Sequence, residues 1–185
     1  MAHRVCPWWL GYFLVSPIRR WLTKPEPIIA PYVRPGMTVL EPGPGMGFFT
    51  LPLAERVGDN GKVIAIDLQQ KMISRLKKRA ERAGLARRID ARISGANALS
   101  VGDLSNQVDF TLAFYVVHEF PEGHPFFREV AAVSKPGALL YIAEPAGHVT
   151  EADFETELES AVKEGFTITD RPHIKRSLAA LLRKA

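Results

Sequence analysis

The sequence predicts an α/β fold: a mostly parallel, doubly wound sheet with helices on both faces and an antiparallel strand at its C-terminal end. Three observations predict it. Beyond residue 36, short apolar β-rich runs alternate with runs of helical period, the pattern of strands joined by crossover helices. The last two strand candidates have no helix between them, so they pair as a hairpin and one must run against the rest. An acid, amide or imidazole stands at the end of each of the first five runs, where open α/β sheets bind ligands.

The elements follow in order. Residues 1–34, with five prolines and three tryptophans, read as an N-terminal aromatic helical appendage or lid on a domain spanning 35–185. Met37–Glu41, behind Pro35 and Gly36, is the first strand, and 47–57 the first helix. Lys62–Asp67 follows the turn residues Asp59, Asn60 and Gly61, and the helix over 69–83 sets Met72, Ile73, Leu76, Ala80 and Ala83 on one face. Ile89–Ser94 and Val108–Val116 come next, the latter apolar enough to be central and covered on both sides. A helix over 122–134 leads to Ala138–Glu144 behind Lys135, Pro136 and Gly137. After a helix over 150–164, Phe166–Thr169 and Ser177–Leu182 form the terminal hairpin, making seven strands.

Composition narrows the function. The chain has 185 residues, 46% apolar and 24% charged, a globular profile able to bury its own core. Its one cysteine, Cys6, rules out an intrachain disulfide and a multi-cysteine zinc site; no metal is expected, and a reducing, cytoplasmic setting is. A net charge of +4 is far from the footprint of a dedicated nucleic-acid binder. The basic run on the helix over 69–83, from Lys71 to Arg82, reads as a solvated face. The apolar stretch Val5–Val15 is too short to span a bilayer, which takes about 20 residues. It is interrupted by Pro7 and Gly11 and lacks a cleavage site, so neither a transmembrane segment nor a signal peptide is expected.

The five strand ends bring together Glu41, Asp67, Asn97, His118 with Glu119, and Glu144, with His148 close behind. The most specific segment is Glu41-Pro42-Gly43-Pro44-Gly45-Met46-Gly47. Three glycines at alternate positions between a strand and a helix allow a sharp turn and close approach of backbone to a ligand. A dinucleotide fingerprint would need a third glycine where Phe48 stands, and no Walker lysine follows. Twenty residues past Gly47, Asp67 is placed to accept hydrogen bonds from ribose hydroxyls.

This pattern resembles the class I S-adenosylmethionine-dependent methyltransferases, over roughly residues 25–185. Val39–Gly47 (VLEPGPGMG) is similar to their first motif, Val63–Met72 (VIAIDLQQKM) to the second-strand acid segment, and Val108–Phe120 (VDFTLAFYVVHEF) to the fourth-strand motif. Lys135–Pro145 (KPGALLYIAEP) looks like the fifth-strand segment of the small-molecule branch, the type 11 or quinone-biosynthesis-like group. The resemblance implies a Rossmann-like seven-stranded sheet and S-adenosylmethionine as cofactor, with S-adenosylhomocysteine as product. It implies that Gly43, Gly45 and Gly47 pass beneath the methionine part, that Glu41 lies near its amino group, and that Asp67 holds the ribose. Leu68 then packs on the adenine. Asn97 stands where the family usually has an aspartate, a departure that still leaves an acceptor for the adenine amine. Phe114 and Tyr115 are expected beside the methionine tail and the methyl.

The reaction so implied is in-line methyl transfer to a small molecule, favoured by near-attack geometry in a pocket closed to water. A hydroxyl, thiol or carbon acid acceptor needs a base. His118 is the first candidate, with Glu119 fixing its tautomer or serving as base itself; Glu144 and His148 are alternatives. His118 could equally be a backbone-bonded loop histidine. Pro7, Trp8, Trp9, Tyr12 and Phe13 read as core, as a lid over the site, or as an interfacial membrane contact beside Arg19, Arg20 and Trp21, which would suit a lipid-like acceptor. Competing functions are methylation of nucleic acid or protein, and cofactor binding without catalysis. The fourth strand reads Ala113-Phe114-Tyr115-Val116 rather than an acid or amide before Pro-Pro and an aromatic. Cytosine-C5 and arsenite chemistry need cysteines that this sequence does not supply. The residues do not indicate an oligomeric state.

Overall fold

The computed structural model describes residues 24–95, 97–121 and 125–185. The aromatic segment read as lid, core or membrane contact lies outside them, as does Cys6. Seven strands form one sheet, with helices flanking it: β1 Thr38–Pro42, β2 Lys62–Asp67, β3 Ile89–Ile93, β4 Val108–Phe114, β5 Ser134–Pro145, β6 Phe166–Asp170 and β7 Ser177–Lys184. Their order is β3-β2-β1-β4-β5-β7-β6, and the seven-stranded, mostly parallel sheet expected from the sequence is the one observed. The helices are α1 Pro25–Ile29, α2 Thr50–Val57, α3 Gln70–Arg82, α4 Phe126–Val133 and α5 Glu151–Lys163. Contacts divide the chain into two compact units, one ending at Ser94 and the other spanning Gly95–Ala185.

In the first unit, β1 and β2 pair in parallel, as do β2 and β3. Val39, Leu40, Val63, Ala65 and Ile66 are at most 1% exposed, which is why these strands are short unbroken apolar runs. Helix α3 buries Met72, Ile73, Leu76 and Ala80, four of the five residues set on one face by the helical period. Helix α2 starts at Thr50 rather than 47, because Gly47 holds φ +87°, outside the helical region. Residues 24–34 are part of this unit's structure: α1 buries Ile29, and Arg56 donates to the Ala30 carbonyl at 3.0 Å.

In the second unit, β4 pairs with β5 in parallel, and β7 runs antiparallel to both β5 and β6. The hairpin is thus formed, with β7 inserted between the strands that precede it. Strand β5 begins at Ser134, four residues before the expected start. Lys135, Pro136 and Gly137 fall in a register shift opposite Val108–Phe110; proline cannot donate to the ladder, so the extra residues bulge out. Strand β4 stops at Phe114 rather than Val116 because Tyr115 adopts φ +59°. The start of α5 follows a local rule: the Thr150 hydroxyl accepts from the Asp153 amide at 3.1 Å, and Glu151 and Asp153 occupy the positive end of the helix.

Candidate functional site

The first unit carries the glycine loop. Glu41, the penultimate residue of β1, is 3% exposed, and its Oε2 has no hydrogen-bond partner. Burial pushes this carboxyl up to about 8; the Thr50 side chain opposes the shift and the Asp67 charge adds to it. Asp67 ends β2. Its Oδ1 accepts from the Gln69 amide at 2.8 Å and its Oδ2 from the Gly45 amide at 3.2 Å. Burial pushes it up to about 6, against the pull of those two amides. One carboxyl therefore fastens the glycine loop to the chain entering α3, and its four lone-pair sites leave room for further donors.

The three glycines are not equivalent. Gly43 donates to the Ile66 carbonyl at 2.8 Å, tying the loop to β2. At Gly45, with φ +55°, an added Cβ would meet nothing within 4 Å. At Gly47, with φ +87°, it would lie 2.5 Å from Leu76 Cδ1 and 2.8 Å from Leu51 Cδ1. Gly47 is thus a packing glycine that lets α3 approach. The Arg79 guanidinium donates to the Met46 carbonyl and holds the loop from α3.

Leu68 is 44% exposed and Ile93 51%. Ile93 pairs with Asp67 across β2 and β3; its position as the last residue of a strand beside the acid is the sequence signal that could have singled it out. An uncompensated buried carboxyl, an open glycine turn and two uncovered apolar side chains fit a ligand with a cationic amino group, a ribose and a flat ring. The cofactor implied by the resemblance is such a ligand.

The second unit carries the ionisable cluster. Tyr115, directly after β4, is in the left-handed region with φ +59°, rare for a bulky residue and typical of functional sites. Its amide donates to the Ala143 carbonyl at 2.8 Å, its ring lies 4.4 Å from that of buried Phe114, and its hydroxyl is 2.5 Å from Ser177 Oγ. His118 sits in a short 3-10 turn, Val117–Glu119. Its Nδ1 is bonded to Glu144 Oε2, while Glu144 Oε1 accepts from the Val117 amide at 2.8 Å. Glu144 is fully buried, while the His118 side chain is 28% exposed.

Glu144, and not the adjacent Glu119, therefore holds the imidazole; Glu119 acts on it through charge. Burial pulls the His118 pKa down, but the bond to Glu144 and the charges of Glu144, Glu119 and Glu157 outweigh it, and the net direction is up. Glu157, on α5, was not singled out by sequence. Its Oε2 is buried without a partner, and burial, with the Glu144 charge next, pushes it up to about 8. The exposed His148 ring is parallel to His118 at 6.4 Å between centroids. Asn97 is exposed, in a turn closed by the Gly95–Ala98 bridge. Among the described residues, no helix is long and apolar enough to cross a membrane.

Comparison with known proteins bears on the family and the fold. The profile of a methyltransferase-domain family matches residues 34–179. A ubiquinone/menaquinone biosynthesis C-methyltransferase of Hydrogenovibrio crunogenus is 30% identical over 112 residues, 60% of this chain and 43% of that protein. An arsenite methyltransferase of Halobacterium salinarum is 32% identical over 110 residues, 60% of this chain and 27% of its own length. The chain thus spans less than half the length of these two curated relatives. The crystal structure of a SAM-dependent methyltransferase from Aquifex aeolicus superposes with a TM-score of 0.86 at 27% identity, covering 98% of this chain and all of that one.

Proposed function

The chain belongs to the methyltransferase-domain family, and from that premise we propose that it transfers a methyl group from S-adenosylmethionine to a small-molecule acceptor, with His118 taking the acceptor's proton. The observation that carries this reading is the bond between His118 Nδ1 and buried Glu144, which leaves Nε2 as the ring nitrogen free for proton transfer. The cofactor supplies an electrophilic methyl on a sulfonium; the chain's residues hold and orient it. Glu41 receives the amino group, Asp67 the ribose hydroxyls, and Leu68 with Ile93 the adenine. Asn97 offers its amide to the adenine amine, and Phe114 and Tyr115 shape the region of the methyl. Glu119 acts on His118 through its charge, and the His148 ring stands parallel beside it as an alternative base.

A lipid-like acceptor of the quinone type is the class we favour, supported by the name of the ubiquinone/menaquinone relative and by the tryptophan-rich sequence before residue 22. The arsenite relative does not redirect the proposal, because this sequence holds a single cysteine. The test is calorimetric titration with S-adenosylmethionine, then turnover against hydroquinones, phenols and amines. His118→Ala should bind cofactor like the wild type and lose about 10²–10⁴-fold in turnover. Unchanged turnover would place the base elsewhere. Cofactor binding with no acceptor turned over would favour a non-catalytic binding protein.

A further inference from the structure

We propose that Glu144 is a positioning residue for methyl transfer, fixing His118 in the tautomer whose Nδ1 carries the hydrogen and whose Nε2 is the open base. The inference rests on His118 being the base and goes beyond it by assigning how the base is set. The geometry leaves little choice. Glu144 is fully buried and both its oxygens are engaged, one by the Val117 amide at 2.8 Å and the other by His118 Nδ1. With Glu144 Oε2 as the acceptor, Nδ1 donates and the lone pair of the neutral ring lies on Nε2. The two strands build this pair between them. Phe114 of β4 is level with Ala143 of β5, so the turn after β4 arrives beside the residue that follows Ala143, which is Glu144.

The step balances. The acceptor atom's proton passes to Nε2, that atom forms the new bond to the methyl carbon, and the carbon–sulfur bond breaks with its electron pair left on sulfur. One positive charge leaves the sulfonium and one appears on the imidazolium, against Glu144 and in the field of Glu119 and Glu157. The partly exposed ring then returns its proton to water.

The test is nitrogen-15 NMR of the histidines, on the free protein and with S-adenosylhomocysteine, in the wild type and in Glu144→Gln. The glutamine keeps an acceptor for the Val117 amide but turns its NH₂ toward Nδ1, which must then accept; the hydrogen moves to Nε2. The wild type should show the Nδ1–H tautomer of neutral His118. The variant should show Nε2–H, a His118 pKa below that of the wild type, unchanged affinity for S-adenosylhomocysteine, and about 10²–10⁴-fold lower turnover of any acceptor the wild type methylates. An Nε2–H signal in the wild type overturns the assignment, and this decides the matter even if the variant does not fold. An unchanged tautomer in Glu144→Gln overturns it as well. Failure of the underlying reading looks different: His118→Ala would keep its turnover while the tautomer result stood.

Discussion

Two buried glutamates sit at the carboxyl ends of two strands and do opposite things. Glu144 is satisfied at both oxygens; Glu41 is left with an unpartnered oxygen and a carboxyl pushed up to about 8. A buried polar group without a partner is destabilising, so the free protein bears an unfavourable contribution at Glu41 that a cationic ligand can relieve. Glu144, equally buried, has partners for both oxygens within the chain. The first unit thus holds a buried carboxyl with an unpartnered oxygen, and the second holds one with both oxygens engaged.

Substitutions should separate the two. Glu144→Ala leaves the Val117 amide without an acceptor and opens a cavity, and should lose on the order of 3 kcal/mol of unfolding free energy in denaturant titration. Glu41→Gln should lose little or gain stability in the same measurement, while weakening cofactor binding. If the two glutamates destabilise alike, the contrast is wrong. Asp67→Ala removes acceptors for the ribose and releases the Gly45 and Gln69 amides; calorimetry should show roughly 10–100-fold weaker cofactor binding, taking about 1.5–3 kcal/mol for a charged hydrogen bond. Unchanged affinity would remove Asp67 from the site.

The glycines give a finer pair. Gly47→Ala forces a methyl against Leu76 and Leu51 and should lower stability by about 1–3 kcal/mol. Gly45→Ala should lower it less, since only its φ is unfavourable, yet weaken cofactor binding more. The smallest effect concerns pH. Glu41, Asp67, Glu157 and His118 all have raised values in the folded chain, so each binds protons more readily folded than unfolded. Their contribution is present at low pH and is lost as pH rises through the folded values, about 6 for Asp67 and about 8 for Glu41 and Glu157. The melting temperature of the free protein should therefore drift down between about pH 5 and 8. Glu41→Gln should flatten the upper part of that drift, and a slope unaltered by the change would exclude Glu41 as a source.

Much of this was legible in the sequence because it is written locally. Apolar runs and helical spacing set the strands and α3, and the carboxyl ends of those strands named Glu41, Asp67, His118 and Glu144 as candidates. What escaped is written in tertiary register. That Glu144 is bonded to His118 depends on how β4 aligns with β5, whereas adjacency in the sequence singled out Glu119, as tautomer partner or as base. Glu157 lies in a helix with Glu151, Asp153, Glu155 and Glu159, where nothing in the composition separates a buried acid from solvated ones. Gly47 looked like its neighbours until Leu76 and Leu51 were seen beside it.

The insertion of β7 between β5 and β6 makes β6 a dependent of β7. Within its unit, β6 has ladder hydrogen bonds to β7 alone, whereas β7 is held on both sides. Opening events that release β7 from the sheet must therefore release β6 too, but β6 can peel away by itself. In native-state hydrogen exchange the amides of Phe166–Asp170 should never outlast those of β7, and the outer margin of the sheet should open in a fixed sequence, from β6 inward.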